Sequence, residues 1–95
     1  MRPDYESALQ ALAQEYHLDL LILFGSHAKG TASPDSDLDV AVASKQPLDL
    51  TELNNAMIQK LHQNKIDVVD LRRCHPVLGK DILKTGKVLV RQAKL

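Results

Sequence analysis

The sequence has little of what would commit it to several large classes of protein. Its only cysteine is Cys74, so no disulfide can close within the chain, and nothing asks for an oxidising compartment. The N-terminal run MRPDYESALQ lacks the apolar centre of a secretory signal. The longest apolar stretch, Leu18 to Phe24 broken by Asp19, is far shorter than the roughly 20 residues that span a bilayer. These absences argue against a membrane segment and make the cytoplasm the expected compartment. Charge of one sign is missing too: 12 Lys and Arg offset 12 Asp and Glu. No global field therefore draws the chain to a phosphate backbone, and composition gives direct nucleic-acid binding no support. There is no internal repeat and no low-complexity tract.

What is present suits a folded soluble domain. The 95 residues suffice for one core and not for two, so residues 1–95 are read as one domain. Hydrophobic residues make up 44% and charged residues 25%, near the averages for globular chains. From Tyr5 to Tyr16, Leu9, Leu12 and Tyr16 recur at helical spacing behind Pro3-Asp4, which predicts an amphipathic helix. Leu18 to Phe24 (LDLLILF) reads as a central strand buried on both faces. The segment GSHAKGTASPDS is loop-like, with room for one helical turn near His27-Ala28-Lys29. Asp37 to Ala43 predicts a second strand, and Leu50 to His62 a second helix capped by Asp49 or Thr51. Lys65 to Leu71 predicts a third strand, Val77 to Lys84 a short helix closed by Gly86, and Lys87 to Arg91 a last strand. The order α, β, loop, β, α, β, α, β fits an α/β (α+β) fold, a small mixed β-sheet with helices packed on it.

One part of this pattern carries chemistry. Strand side chains alternate faces, so Asp37 and Asp39 project on the same side while Leu38 turns away. Two carboxylates so close repel unless a cation lies between them, and hard oxygen donors suit Mg²⁺, which completes its shell with waters and substrate phosphates. Ten residues upstream, Gly25-Ser26 stands where the apolar strand becomes a turn. Backbone N–H groups and a hydroxyl can be aimed at phosphate oxygens there, and a glycine lets the phosphate come close. A phosphate-cradling turn beside a carboxylate pair describes metal-assisted phosphoryl or nucleotidyl transfer.

The run LFGSHAKGTASPDSDLDVAV, residues 23–42, resembles the signature of the DNA polymerase β-like nucleotidyltransferase superfamily: Gly-Ser, about ten residues, then Asp-x-Asp. In length and element order the whole chain is similar to the minimal nucleotidyltransferases, the MntA-type antitoxins. The resemblance implies the polymerase β-like fold, nucleotide contacts from Gly25, Ser26, Lys29 and Ser36, and catalytic, metal-holding carboxylates at Asp37, Asp39 and a third position. That third position falls within KIDVVDL. Asp67 is carried over and Asp70 is the runner-up, since alternation alone says that both cannot serve one site but not which does. Many relatives have Arg where this chain has Lys29, which meets a phosphate as a point charge without the bidentate fork. The resemblance further implies two Mg²⁺ ions, ATP as substrate, and a HEPN-family ribonuclease toxin as partner, silenced by AMP on a tyrosine.

The remaining polar residues read more plainly. His17, His27, His62 and His75 lack the spacing of a zinc site, Asp35 beside Pro34 is a turn former, and Cys74 has no orienting acid for a nucleophile's role. Arg72, Arg73, Lys80, Lys84, Lys87, Arg91 and Lys94 make the C-terminal third basic: first a solvated face, second a docking surface for an acidic partner. A domain this short has scarcely any room to enclose an acceptor, so another chain should supply it. The leading reading is an adenylyltransferase antitoxin. Its alternatives are a non-catalytic nucleotide-binding antitoxin that acts by complex formation, and a subunit that modifies a small molecule.

Overall fold

The apolar run after the first helix forms the strand about which the other elements are arranged. In the computed structural model, which describes residues 3–25, 30, 37–63 and 65–92, β1 is Leu20–Phe24, β2 Leu38–Ala43, β3 Ile66–Asp70 and β4 Lys87–Arg91. Among the described residues these make one sheet in the order β3-β2-β1-β4. β1 is antiparallel to both its neighbours, whereas β2 and β3 run parallel. The sheet is therefore mixed, as the element order predicts. A parallel pair needs a crossover, and α2, Leu50–Leu61, supplies it. The other helices among the described residues are α1, Pro3–Glu15, and α3, Pro76–Thr85.

Among the described residues, two apolar clusters flank the sheet, one on each face. On one, Leu9, Leu12 and Ala13 of α1 and Leu53, Met57 and Leu61 of α2 close over Leu21, Leu23, Leu38, Val40, Val42 and Leu89. At roughly 1.5–3 kcal/mol for each large side chain fully buried, this layer is the main source of stability. On the other face, among the described residues, α3 packs through Ile82 against Ile22 and Ala41, with Leu20, Phe24, Val69 and Leu71 half-buried around them. Ile22, between Leu21 and Leu23, explains why β1 is apolar without alternation: both its faces are buried.

Some boundaries differ from those the sequence predicts. β1 starts at Leu20, after Leu18 has closed the end of α1: His17 takes a φ of 56° and the Leu18 N–H donates to the Ala13 carbonyl at 2.8 Å, while Asp19 already bonds to Ala43 and Gln92 beside the sheet. Histidine tolerates that left-handed conformation better than most side chains, and His62 does the same after α2, with a φ of 53°. His75 caps α3, its Nδ1 accepting the Val77 N–H at 3.1 Å. Three of the four histidines thus serve the backbone. Asp49, not Thr51, caps α2: its Oδ1 accepts the Glu52 N–H at 3.1 Å. Replacing Asp49 with alanine is expected to cost about 1 kcal/mol, read as a lower midpoint of chemical denaturation with an unchanged slope.

Gly86 does close α3, but not by a left-handed turn. Its φ is −76° and its N–H donates to the Ile82 carbonyl at 2.8 Å. A side chain is excluded there because a Cβ would run into Cγ2 of Ile22 and lie 2.6 Å from the Ile82 carbonyl oxygen. The missing side chain lets the end of α3 press onto β1.

Candidate active site at one end of the sheet

The carboxylates are brought together by register. In β2, Leu38, Val40 and Val42 point into the α1–α2 core, so Asp39 and Ala41 face the α3 side. Asp39 is level with Phe24 of β1 on one flank and with Asp67 of β3 on the other. Ile66 and Val68 belong with the core layer and Val69 and Leu71 with the opposite cluster, which puts Asp67 on the α3 side. Partners on adjacent strands lie about 4.8 Å apart. Asp39 is half-buried and Asp67 exposed, so the pair opens to solvent. Asp37 is exposed and immediately precedes β2, one residue short of its predicted place in the strand. The next residue, Leu38, donates its N–H to the Lys65 carbonyl at 2.8 Å and ties this end of β2 to the start of β3.

Asp70 is elsewhere. It lies at the far end of β3, level with Val42, where its Oδ1 accepts the Arg72 N–H at 3.0 Å and its Oδ2 stands 4.0 Å from Nε of Arg73. It organises the turn that follows the strand. The two acids are therefore expected to respond oppositely: Asp67→Asn should lower any carboxylate-dependent turnover by 100-fold or more, on the order of a lost general base. Asp70→Asn should leave turnover within about twofold of wild type and cost only the ~1 kcal/mol of a turn hydrogen bond. Parallel kcat and melting measurements on the two variants check this.

Gly25 stands against Asp39. It ends β1 with a φ of 75°, in the left-handed region, and a Cβ built on it would collide with Oδ2 of Asp39 and come within 3.2 Å of its Cγ. The glycine thus seats the Asp39 carboxylate, a contact that no sequence pattern announced. Ser26, Lys29, Ser36 and the helical turn near His27 lie outside the described residues. Among the described residues no three His, Cys, Asp or Glu side chains gather into a metal-holding group. No helix among them is long and apolar enough to cross a membrane.

The far end of the sheet carries a different feature. A recess of about 330 Å³ is lined by Ser44, Lys45, Asp70, Arg72 and Arg73, among others. Arg72 is committed there, its Nη1 donating to the Ser44 carbonyl at 2.8 Å. One of the arginines that the sequence offered for docking thus fastens the β3–α3 turn to the end of β2.

Residues 7–95 match the family model described as polymerase beta, nucleotidyltransferase. The chain is 31% identical over 99 residues to the protein adenylyltransferase MntA of Aphanizomenon flos-aquae (strain 2012/KM1/D3), covering 92% of this chain and 66% of that protein. It is 37% identical over 75 residues to the protein of the same name from Shewanella oneidensis, covering 76% of this chain and 53% of that one. It therefore spans between half and two thirds of the length of these relatives. Among solved structures, a toxin-antitoxin with AMP-PNP superposes with a TM-score of 0.82 at 32% identity, over 94% of this chain and 75% of that one. A tri-AMPylated Shewanella oneidensis HEPN toxin in complex with MNT antitoxin matches with a TM-score of 0.76 at 28% identity, over 99% of this chain and 76% of that one.

Proposed function

Because this chain belongs to the polymerase β nucleotidyltransferase family, we propose that it is the antitoxin of a toxin-antitoxin pair, a Mg²⁺-dependent adenylyltransferase that transfers AMP from ATP to a tyrosine hydroxyl of a HEPN-family toxin and so neutralises it. The observation that carries this reading is the pairing of Asp39 with Asp67 across β2 and β3, beside a glycine that leaves room for the Asp39 carboxylate. The names of the related proteins, adenylyltransferases and a complex with an AMPylated toxin, support the acceptor.

The donor chemistry suits Mg²⁺. Asp39 and Asp67 are level on adjacent strands and Asp37 precedes β2 without joining them in one three-acid group; Mg²⁺ takes one or two carboxylates, with phosphate oxygens and waters for the rest, so a closed protein cage is not required. When bound, the ion supplies positive charge to the triphosphate and the departing pyrophosphate. The chain's own residues do the remainder. Gly25 ends β1 against the Asp39 carboxylate, and the family resemblance gives Gly25, Ser26, Lys29 and Ser36 the phosphate contacts. Asp67, the most exposed side of the pair, accepts the proton of the incoming hydroxyl. The hydroxyl oxygen bonds to the α-phosphorus as the bond to the β-phosphate's bridging oxygen breaks. AMP stays on the acceptor and pyrophosphate leaves.

Incubating the chain with ATP, Mg²⁺ and its cognate HEPN partner should raise the partner's mass by one or more AMP units, and omitting Mg²⁺ should prevent it. A partner that is neutralised yet unmodified would count against transfer and favour neutralisation by binding alone.

A further inference from the structure

Charge is separated along this neutral chain. Residues 1–71 carry five Lys and Arg against eleven Asp and Glu, a net of −6, and residues 72–95 carry seven against one, a net of +6. The positive part contains α3, which turns Ile82 onto the sheet and leaves Val77 and Leu83 in water at 70% and 61% exposure. At 100° per residue, Lys80 and Lys84, both exposed, fall between those two on the outward arc of the helix. Val88, 47% exposed, lies on the same side of the sheet, since it pairs with Ile22 beneath α3. Asp81 is the only acid in the segment. Large aliphatic side chains left in water and rimmed by charged ones mark a surface that a partner can cover, with the lysines at its rim.

The position of this face gives it a use. α3 packs on the side of the sheet that bears Asp39 and Asp67. Its end adjoins β1 at Ile22 and Leu23, two residues from Gly25, as the tight fit at Gly86 records. A protein seated on α3 would be held beside the carboxylates. Of the anionic partners that a positive face attracts, a nucleic acid would use Lys80 and Lys84 but leave Val77 and Leu83 in water, and a second copy's α3 would bring the same charge. An amphipathic helix with acidic and aliphatic residues answers both halves of the surface.

We propose that the outward face of α3 is the docking surface for the acceptor protein, which it grips through an acidic amphipathic helix. This rests on the protein-directed transfer proposed above. Two double variants test it, Lys80→Glu with Lys84→Glu and Val77→Ser with Leu83→Ser, titrated against the cognate HEPN protein by calorimetry. Binding of AMP-PNP is measured in parallel. Each pair is expected to raise the Kd for the partner by on the order of tenfold or more. The charge-reversal effect should shrink as salt is raised, and Lys80→Arg with Lys84→Arg should restore affinity. Affinity for AMP-PNP, and transfer at saturating partner, should not change. Wild-type affinity in both variants would overturn the docking surface while leaving the transfer reading intact. Failure of the wild-type chain to bind the partner would overturn both. Binding of single-stranded RNA through Lys80 and Lys84 in place of the partner, or self-association abolished by these variants, would also overturn the docking surface.

Discussion

Replacing Asp37 and Asp39 together with alanine is expected to reduce AMP transfer by on the order of a thousandfold or more, since several kcal/mol of charge stabilisation leave the site and each ~1.4 kcal/mol is a factor of ten. The same change should leave the protein folded. Asp37 is exposed and Asp39 half-buried, neither contributes to the apolar layers, and Asp39 stands level with a second carboxylate on the neighbouring strand. Like charges directly across a ladder destabilise it by roughly 0.2–1 kcal/mol. In chelator, then, the double variant should still melt in one cooperative transition, and Mg²⁺ should raise the melting temperature of the wild type alone. A variant that loses activity because it unfolds would refute this division between function and stability.

Gly25→Ala is the second large effect. An L-residue at a φ of 75° costs about 1–2 kcal/mol, and here the new methyl also meets the Asp39 carboxylate, which must swing aside. Misplacement of a reacting group by about an ångström can cost a hundredfold, so kcat should fall by about that much while the fold survives. The two contributions separate in a double-mutant cycle. In an Asp39→Ala background the collision vanishes and only the backbone strain remains, so Gly25→Ala should destabilise less there than in the wild type. Equal costs in both backgrounds would show that the glycine does not seat Asp39.

What the sequence made legible, and what it did not, follows from the range of the interactions involved. β1 could be read from a run apolar on both faces, and the helices from repeats three and four residues apart. The alternation that put Asp37 and Asp39 on one side assumed that both lie in the strand, whereas β2 begins at Leu38 and leaves Asp37 just before it. The choice of Asp67 over Asp70 could not be made that way, because it depends on β3 lying parallel to β2 with Asp67 level with Asp39, a long-range fact that no spacing within KIDVVDL encodes. Gly25 was visible as a turn glycine, but its second duty required knowing which side chain lies across from it. Gly86 looked like an ordinary helix terminator, whereas its backbone is unstrained and its lack of a side chain serves packing against Ile22. The basic C-terminal third was plain from composition. That α3 buries Ile82 while Val77 and Leu83 stay in water was not. The roles of Ser26, Lys29 and Ser36 still rest on the family resemblance.

The central claim is that the paired carboxylates move the α-phosphoryl group of ATP, with its nucleoside, onto the partner protein. Transfer of radiolabel tests it most directly, with the label placed at the α-phosphate in one reaction and at the γ-phosphate in another. Label from the α-position should appear on the partner, that from the γ-position should leave as pyrophosphate, and both events should require Mg²⁺ and disappear in the Asp37→Ala, Asp39→Ala variant. Label arriving from the γ-position would mean phosphoryl transfer, and neutralisation of the partner with no label at all would mean binding alone; either result would contradict it.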